Sequence, residues 1–328
     1  MTSLSSLEIC AGAGGQALGL EAAGFGHVAT VEIERIACDT LELNRPQWNV
    51  LNRDVRNIDG TQYRGIDLLA GGVPCPPFSV ASRQLGAADE RDLFPTALRL
   101  VEESNPAAVV LENVPGLAMP RFAEYRAGVR ARLATLGYDV FWQPLNASDF
   151  GVPQLRPRFV LVALKKRFGG RFEWPSPEMQ APTVGETLRE LMAARGWPGA
   201  ERWAQRANRI APTLVGGSKL HGGPDLGPTR AKRAWRELGV DGMGIADLPP
   251  DASFPVDGFP KLTVAMTALL QGFPASWQFA GRKTAAYRQV GNAFPPPVAA
   301  AVGKAVFAAI AGVESDRAIP RARVAGLR

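Results

Sequence analysis

LEICAGAGGQALGLEAAGF, residues 7–25, decides how this chain folds. Four residues with strand character run into glycines at 12, 14 and 15, and an amphipathic stretch follows, so the pattern reads strand, tight turn, helix. Gly12, Gly14 and Gly15 let the main chain approach a ligand closely, above a helix N-terminus. Glu32 falls near the end of the next strand, HVATVEI (27–33), placed to accept hydrogen bonds from ribose hydroxyls. Asp54, in NRDVR, follows a third short strand and is placed to meet an adenine amino group. NAD, FAD and S-adenosylmethionine all bind folds of this shape, so the turn specifies a nucleoside cofactor and no more.

Outward from the turn, apolar runs alternate with helical patterns. DLLAGG (67–72), AAVVLENV (107–114), DVFWQPL (139–145) and RFVLVAL (158–164) read as further strands, with RIACDTLELN and DLFPTALRLVEES among the helices between. Such alternation predicts an α/β fold with a parallel, doubly wound sheet covered on both faces. Near residue 170 the pattern fails. RFEWPSPEMQAPTVG is proline-rich, and little periodicity returns before KLTVAMTALLQGFP (261–274). The expected organisation is a cofactor-binding domain over 1–172, a smaller irregular domain over 173–285, and a return to the first domain over 286–328, where FPPPVAAAVGKAVFAAIAG predicts a buried helix.

Composition narrows the function. At 46% hydrophobic and 21% charged, the 328 residues are ordinary globular protein. No uninterrupted apolar run approaches the eighteen residues of a membrane span, and MTSLSSLEIC has no basic region before an apolar run, so a cytoplasmic protein is expected. Three cysteines without a CxxC pair, and two histidines, argue against a disulfide framework and against any metal site. The net charge of +6 is uneven: residues 156–236 hold 16 lysines and arginines against six acidic residues. Trp174, Trp197, Trp203 and Trp235 sit among them, and basic side chains interleaved with aromatics suit a phosphate backbone and exposed bases.

The strand ends carry the chemistry. DLLAGGVPCPPFSVASR (67–83) puts Cys75 on a loop stiffened by Pro74, Pro76 and Pro77, beyond a strand end where open parallel sheets place their ligands. A free cysteine is commonly a small buried hydrophobe, but prolines on both sides at a strand end favour an aimed thiol, with Arg83, Arg91, Arg156 and Arg158 available to lower its pKa. VVLENVPG ends the next strand with Glu112, and a carboxylate there is costly unless paired or chemically active. A thiol and a carboxylate on neighbouring strand ends suit sulfur addition to a ring whose nitrogen the carboxyl group hydrogen-bonds. Arg156 and Arg158, two apart in extended chain, are expected to face one target.

Taken together, these motifs resemble the DNA (cytosine-5)-methyltransferase family of compact bacterial type, in the family's order and over nearly the whole chain. EICAGAGG resembles its cofactor loop, VEIE its ribose-binding acid, RDVR its adenine-contacting acid, GGVPCPPFS its nucleophile loop, LENVPG its glutamate motif and QLRPR its paired-arginine motif. APTLVGG resembles the Thr-Leu element ending the target recognition domain, and KLTVAMTALLQGFP and YRQVGNAFPPPVAAAVG the last two motifs. The resemblance implies a Rossmann-like sheet dependent on S-adenosylmethionine, releasing S-adenosylhomocysteine, without metal. It implies Cys75 as nucleophile, Glu112 contacting cytosine, and Arg158 with Arg156 in support. Cys10, Gly12, Gly14, Glu32, Ile33, Asp54, Pro74 and Asn292 are implied to hold the cofactor, and Ser79, Arg91 and Thr213 to meet DNA.

The implied activity is methylation of cytosine carbon 5 within a short double-stranded DNA site, with base flipping and a covalent Cys75 intermediate. That would make the chain a solitary methylase or the partner of a restriction endonuclease acting on the same site; a monomer, associated with the nucleoid through DNA, is expected. Two departures stand out: Cys10 replaces the family's usual Phe, and Ala265–Met266 replace an Arg-Glu pair. An RNA cytosine methyltransferase and a non-catalytic nucleic-acid binder remain alternatives. A dinucleotide oxidoreductase would leave the Pro-Cys-Pro-Pro loop idle. Amino-group methylation calls for a different loop from PCPPFS.

Overall fold

The structure, a computed structural model, describes residues 3–74, 92–177, 180–216 and 223–318, with side chains through residue 312. At its centre is β1 (Leu4–Ile9), which pairs in parallel with β2 (Phe25–Glu32) on one side and β4 (Leu68–Gly72) on the other. β3 (Val50–Asn52) extends the sheet beyond β2, and β5 (Ala108–Asn113) extends it beyond β4. β7 (Pro157–Lys165) is inserted antiparallel between β5 and the edge strand β6 (Tyr138–Asn146), giving the order β3-β2-β1-β4-β5-β7-β6. The expectation of a wholly parallel sheet is therefore corrected at β7. Only ten residues join β6 to β7, too few for a parallel crossover, so the chain returns antiparallel.

Both sheet faces are covered, as continuous apolar strands require. On one face, Leu7, Ile9, Val31, Val109 and Leu161 pack with Phe94 and Leu100 of α3 (Phe94–Ser104) and Leu133 of α4 (Ala123–Thr135). The other face, with Leu68, Val110 and Val162, is covered by α1 (Gly15–Ala22) and α11 (Pro296–Ala318). Gly19 permits that pairing, since a Cβ there would lie 2.4 Å from the Pro296 carbonyl oxygen. The run from α10 (Lys283–Asn292) through Gly312 is long and apolar enough to span a membrane, yet more than half of it is buried in the protein. Val298, Val302 and Val306 are spent on the sheet, so it is a core element. α2 (Arg35–Asn44) flanks β2, and the one-turn α5 (Lys166–Gly169) follows β7.

The basic segment builds a separate core from α6 (Val184–Ala193), α7 (Ala200–Arg206), α8 (Thr229–Glu237) and α9 (Val264–Leu270). Trp197, Trp203 and Trp235 lie inside it, Trp235 wholly buried. Trp174 packs edge-on against Phe172 over the sheet. The suggestion that aromatics among the basic residues serve exposed bases is corrected for Trp197, Trp203 and Trp235: a segment with no sheet among its described residues needs large side chains to fill its interior, and tryptophan supplies the most apolar area per residue. The arginines of α7 and α8 remain outside. Ala268, Phe273 and Trp277 pack with Ala17, Leu41 and Trp48, beside the sheet's helices.

One departure has a structural answer here. At the start of α9, Thr263 Oγ1 accepts from the Met266 amide at 3.2 Å, and Met266 Sδ accepts from the Thr263 amide at 3.4 Å. This is a capping box in which sulfur stands where a glutamate oxygen ordinarily does, so the helix start is closed without the missing acid. Met266 also fills the core of the basic segment, which an ionised glutamate would do only at a desolvation cost.

Candidate active site

A cleft of about 330 Å³ opens beyond the carboxyl ends of β1, β2 and β4, where the strand order reverses direction. The turn after β1 forms its floor, with positive φ at Cys10 (52°), Gly12 (54°) and Gly14 (85°). Cys10 is the unusual one, since a residue with a Cβ rarely adopts this conformation. Its thiol lines the cleft, and burial, with Glu32 and Asp54 nearby, pushes its pKa far up, so it stays protonated. A Cβ at Gly15 would lie 2.2 Å from the Phe294 carbonyl oxygen, so the turn joining α10 to α11 closes directly over the start of α1.

Glu32 ties this floor together, accepting from the Gly12 amide at 2.7 Å and from the Glu34 amide at 2.8 Å. Burial raises its pKa and these two amides pull it back down. Asp54 meets Arg56 through both carboxylate oxygens, which holds its carboxyl below the ordinary range. Cys10, Gly12, Glu32, Ile33, Asp54, Pro74 and Asn292 all line the cleft. Gly14 does not. It stands behind the turn, where a Cβ would lie 2.6 Å from Leu41 Cδ2.

Glu8, one residue before the end of β1, also lines the cleft and was missed in the sequence. Its side chain is wholly buried and neither carboxylate oxygen has a hydrogen bond of good geometry. Burial raises its pKa to about 8, offset only in part by the Ala17 amide. Gln16 Oε1 and Thr30 Oγ1, the latter on the residue paired with Glu8 across the sheet, are buried and unpartnered too. The signal was present: an acid inside an apolar strand obeys the rule that singled out Glu112.

Glu112 is a further carboxylate on this rim. It projects from the end of β5 into the same cleft and forms an ion pair with Arg158 Nε at 2.5 Å, both side chains 12% exposed. Burial lowers the Arg158 pKa and Glu112 counters that. The neighbouring Asn113 donates to the Val73 carbonyl at 3.0 Å and accepts from the Val114 amide at 2.8 Å. It thereby fixes the chain just before Pro74. On the far side, Asp92 accepts from the Phe94 amide and from the Tyr125 hydroxyl. Cys75, Ser79 and Arg91 fall outside the described residues.

Arg156 does not join Arg158. It is 1% exposed, and its guanidinium donates to the carbonyls of Leu214 (2.7 Å), Gly291 (2.7 Å) and Ala293 (3.0 Å). The expectation that both arginines face one target is corrected, because β7 begins at Pro157 and strand alternation does not govern the residue before it. Thr213 spends its hydroxyl on the Leu155 carbonyl. Among the described residues no cluster of three or more His, Cys, Asp or Glu is arranged to hold a metal ion.

The glycine turn, Glu32, Asp54 and the Arg158-paired Glu112 thus share one cleft at the strand ends. Residues 4–308 match the family described as C-5 cytosine-specific DNA methylase. The chain belongs to that family, and is a DNA cytosine-5 methyltransferase. Among its relatives, the type II methyltransferase M.NaeI of Lentzea aerocolonigenes is 58% identical over 97% of this chain and 79% of its own. M.NgoMIV of Neisseria gonorrhoeae is 53% identical over 93% of this chain and 98% of its own. A crystal structure of a putative DNA modification methyltransferase from an Escherichia coli prophage superposes with a TM-score of 0.67 at 24% identity, covering 94% of this chain and all of that one.

Proposed function

We propose that the cleft binds S-adenosylmethionine and that the chain methylates carbon 5 of a cytosine flipped out of duplex DNA, through a covalent bond between Cys75 and carbon 6. The carrying observation is contiguity: Glu32 and Asp54, the acids suited to a nucleoside, line the same cleft as Glu112. The residues fit the cofactor. The Gly12 turn offers open space, Ile33 presents an exposed apolar face at the mouth, and Glu8 is an orphaned carboxylate suited to a cationic amino-acid end. When bound, S-adenosylmethionine supplies an electrophilic methyl group on a sulfonium.

The protein's own groups do the rest. Carbon 5 of cytosine is a poor nucleophile until the Cys75 thiolate adds to carbon 6 and pushes electrons onto it. Glu112, oriented by Arg158, hydrogen-bonds the ring at N3 and stabilises the charge that develops there. After carbon 5 takes the methyl group, loss of its proton restores the double bond and expels Cys75. Unstacking the base costs a few kcal/mol, which phosphate contacts from the basic segment offset.

On this reading residues 173–285 carry target recognition, and the chain is a monomeric cytoplasmic enzyme that modifies the site of a type II restriction endonuclease. The test is expression of wild type and Cys75→Ser in a bacterium lacking cytosine methylation, followed by bisulfite sequencing. Protection at one short recurring sequence, lost in the variant, is expected. Equal protection by both proteins would end the Cys75 mechanism.

A further inference from the structure

Arg156 is a wholly enclosed cation whose bonds go to carbonyls, none of them to a carboxylate. Burial and the neighbouring Arg158 both work against its charge. A group this costly, placed where an apolar side chain would pack, calls for a reason beyond stability.

Its connections supply one. Gln154, also buried, donates to the Leu270 carbonyl and to Gln271 Oε1, and its own oxygen accepts from the Leu214 amide at 2.8 Å. Gln271 donates in turn to the Ala293 carbonyl at 2.6 Å. Three amide-bearing or cationic side chains thus clamp three segments: residues 211–214 of the recognition segment, the end of α9, and the turn 291–293 that carries Asn292 into the cofactor cleft. Around the clamp, Gln154 bridges to Ala211, and Thr213 bonds the Leu155 carbonyl. The backbones touch directly as well: a Cβ at Gly291 would lie 2.4 Å from the Gly216 amide nitrogen, and one at Gly216 would lie 2.3 Å from Asn292 Oδ1.

We propose that Arg156, with Gln154 and Gln271, is a positioning device that couples occupancy of the cofactor cleft to the placement of recognition residues 211–216, so that each ligand tightens the other. The inference rests on the cofactor reading above. Its physical basis is that the carbonyls of Gly291 and Ala293, either side of a cleft-lining residue, share one guanidinium with Leu214. The turn and the recognition segment therefore move together or leave buried donors unpaired, which is unfavourable in a water-free interior. Coupling is reciprocal by linkage.

The experiment measures the affinity of the full chain for a duplex carrying the bisulfite-mapped site, with and without saturating S-adenosylhomocysteine. Wild type, Arg156→Lys and Gln271→Met are compared, each also titrated with S-adenosylhomocysteine alone. Wild type is expected to bind DNA about tenfold tighter with S-adenosylhomocysteine present, within the usual range of coupling. Both variants are expected to bring that ratio to within about twofold of unity. A merely structural role would lower melting temperature and weaken both affinities while leaving their ratio intact; an unchanged ratio in either folded variant overturns the proposal. So does a wild type that binds both ligands without coupling. Should Arg156→Lys fail to fold, Gln271→Met decides, since it removes the Gln271 bond to Ala293 and leaves the arginine in place. A wild type that binds no S-adenosylhomocysteine refutes the cofactor reading itself, a different failure.

Discussion

The rim of the sheet and the basic helical segment treat their special residues in opposite ways. Along the rim, Glu8, Glu32 and Glu112 sit at strand ends, buried or nearly so, and face a cleft. In the basic segment the conspicuous residues, Trp197, Trp203 and Trp235, turn inward to make a core, and charges stay outside in pairs such as Arg209–Glu237. The difference follows from the scaffold. A seven-stranded sheet already supplies a core, which frees strand ends to hold costly polar groups. A few short helices must spend their largest side chains on cohesion, and their exposed ion pairs contribute little stability.

The sharpest way to break this comparison is Glu112→Gln. If the rim carboxylate acts on the ring, single-turnover methyl transfer from labelled cofactor should fall by about 10²–10⁴-fold, the range for a positioned acid–base group. Binding of S-adenosylhomocysteine should be little changed. A loss under threefold would make Glu112 a structural partner of Arg158 and nothing more. Next in size is Trp235→Ala. Removing a wholly buried indole should destabilise the basic segment by about 3–5 kcal/mol, visible as hydrogen exchange that rises over 184–270 and not over the strands. Lowered DNA affinity with unchanged exchange would instead return Trp235 to a base-contacting role.

The third test uses pH. The Glu8 pKa is raised from 4.5 to about 8, so the folded state prefers its protonated form. The cost of ionisation is absent below the unfolded value, grows as pH rises through the window from 4.5 to 8, and is complete above it. Glu8→Gln, neutral throughout, should therefore match wild type near pH 4.5 and exceed its stability by about 2–4 kcal/mol at pH 8.5 without cofactor. Melting curves at the two pH values check this, and parallel shifts at both would show that Glu8 is not titrating in that window.

Much of the site was legible because its chemistry demands particular residues at particular places. Gly12 was readable from the turn it must make, Glu32 and Asp54 from their distance along the strands, and Glu112 from the cost of leaving an acid at the end of an apolar run. Ile33 and Asn292 came from resemblance, and both line the cleft. Glu8 escaped although the same rule covers it, since the glycine turn that follows drew the whole reading to itself.

The sequence by itself determined the alternation of strands and helices, the glycine floor with its two acids, and the family, because these depend on local periodicity and on residue types that few backbones tolerate. Only the tertiary structure decided that β7 runs antiparallel, that Trp197, Trp203 and Trp235 lie inside, and that Arg156 parts from the Arg158–Glu112 pair and joins Leu214 to the turn carrying Asn292. Each of those outcomes depends on which distant segment lies opposite, and linear spacing does not contain that information. Leu214, Gly291 and Ala293 meet one guanidinium from positions 58, 135 and 137 residues away.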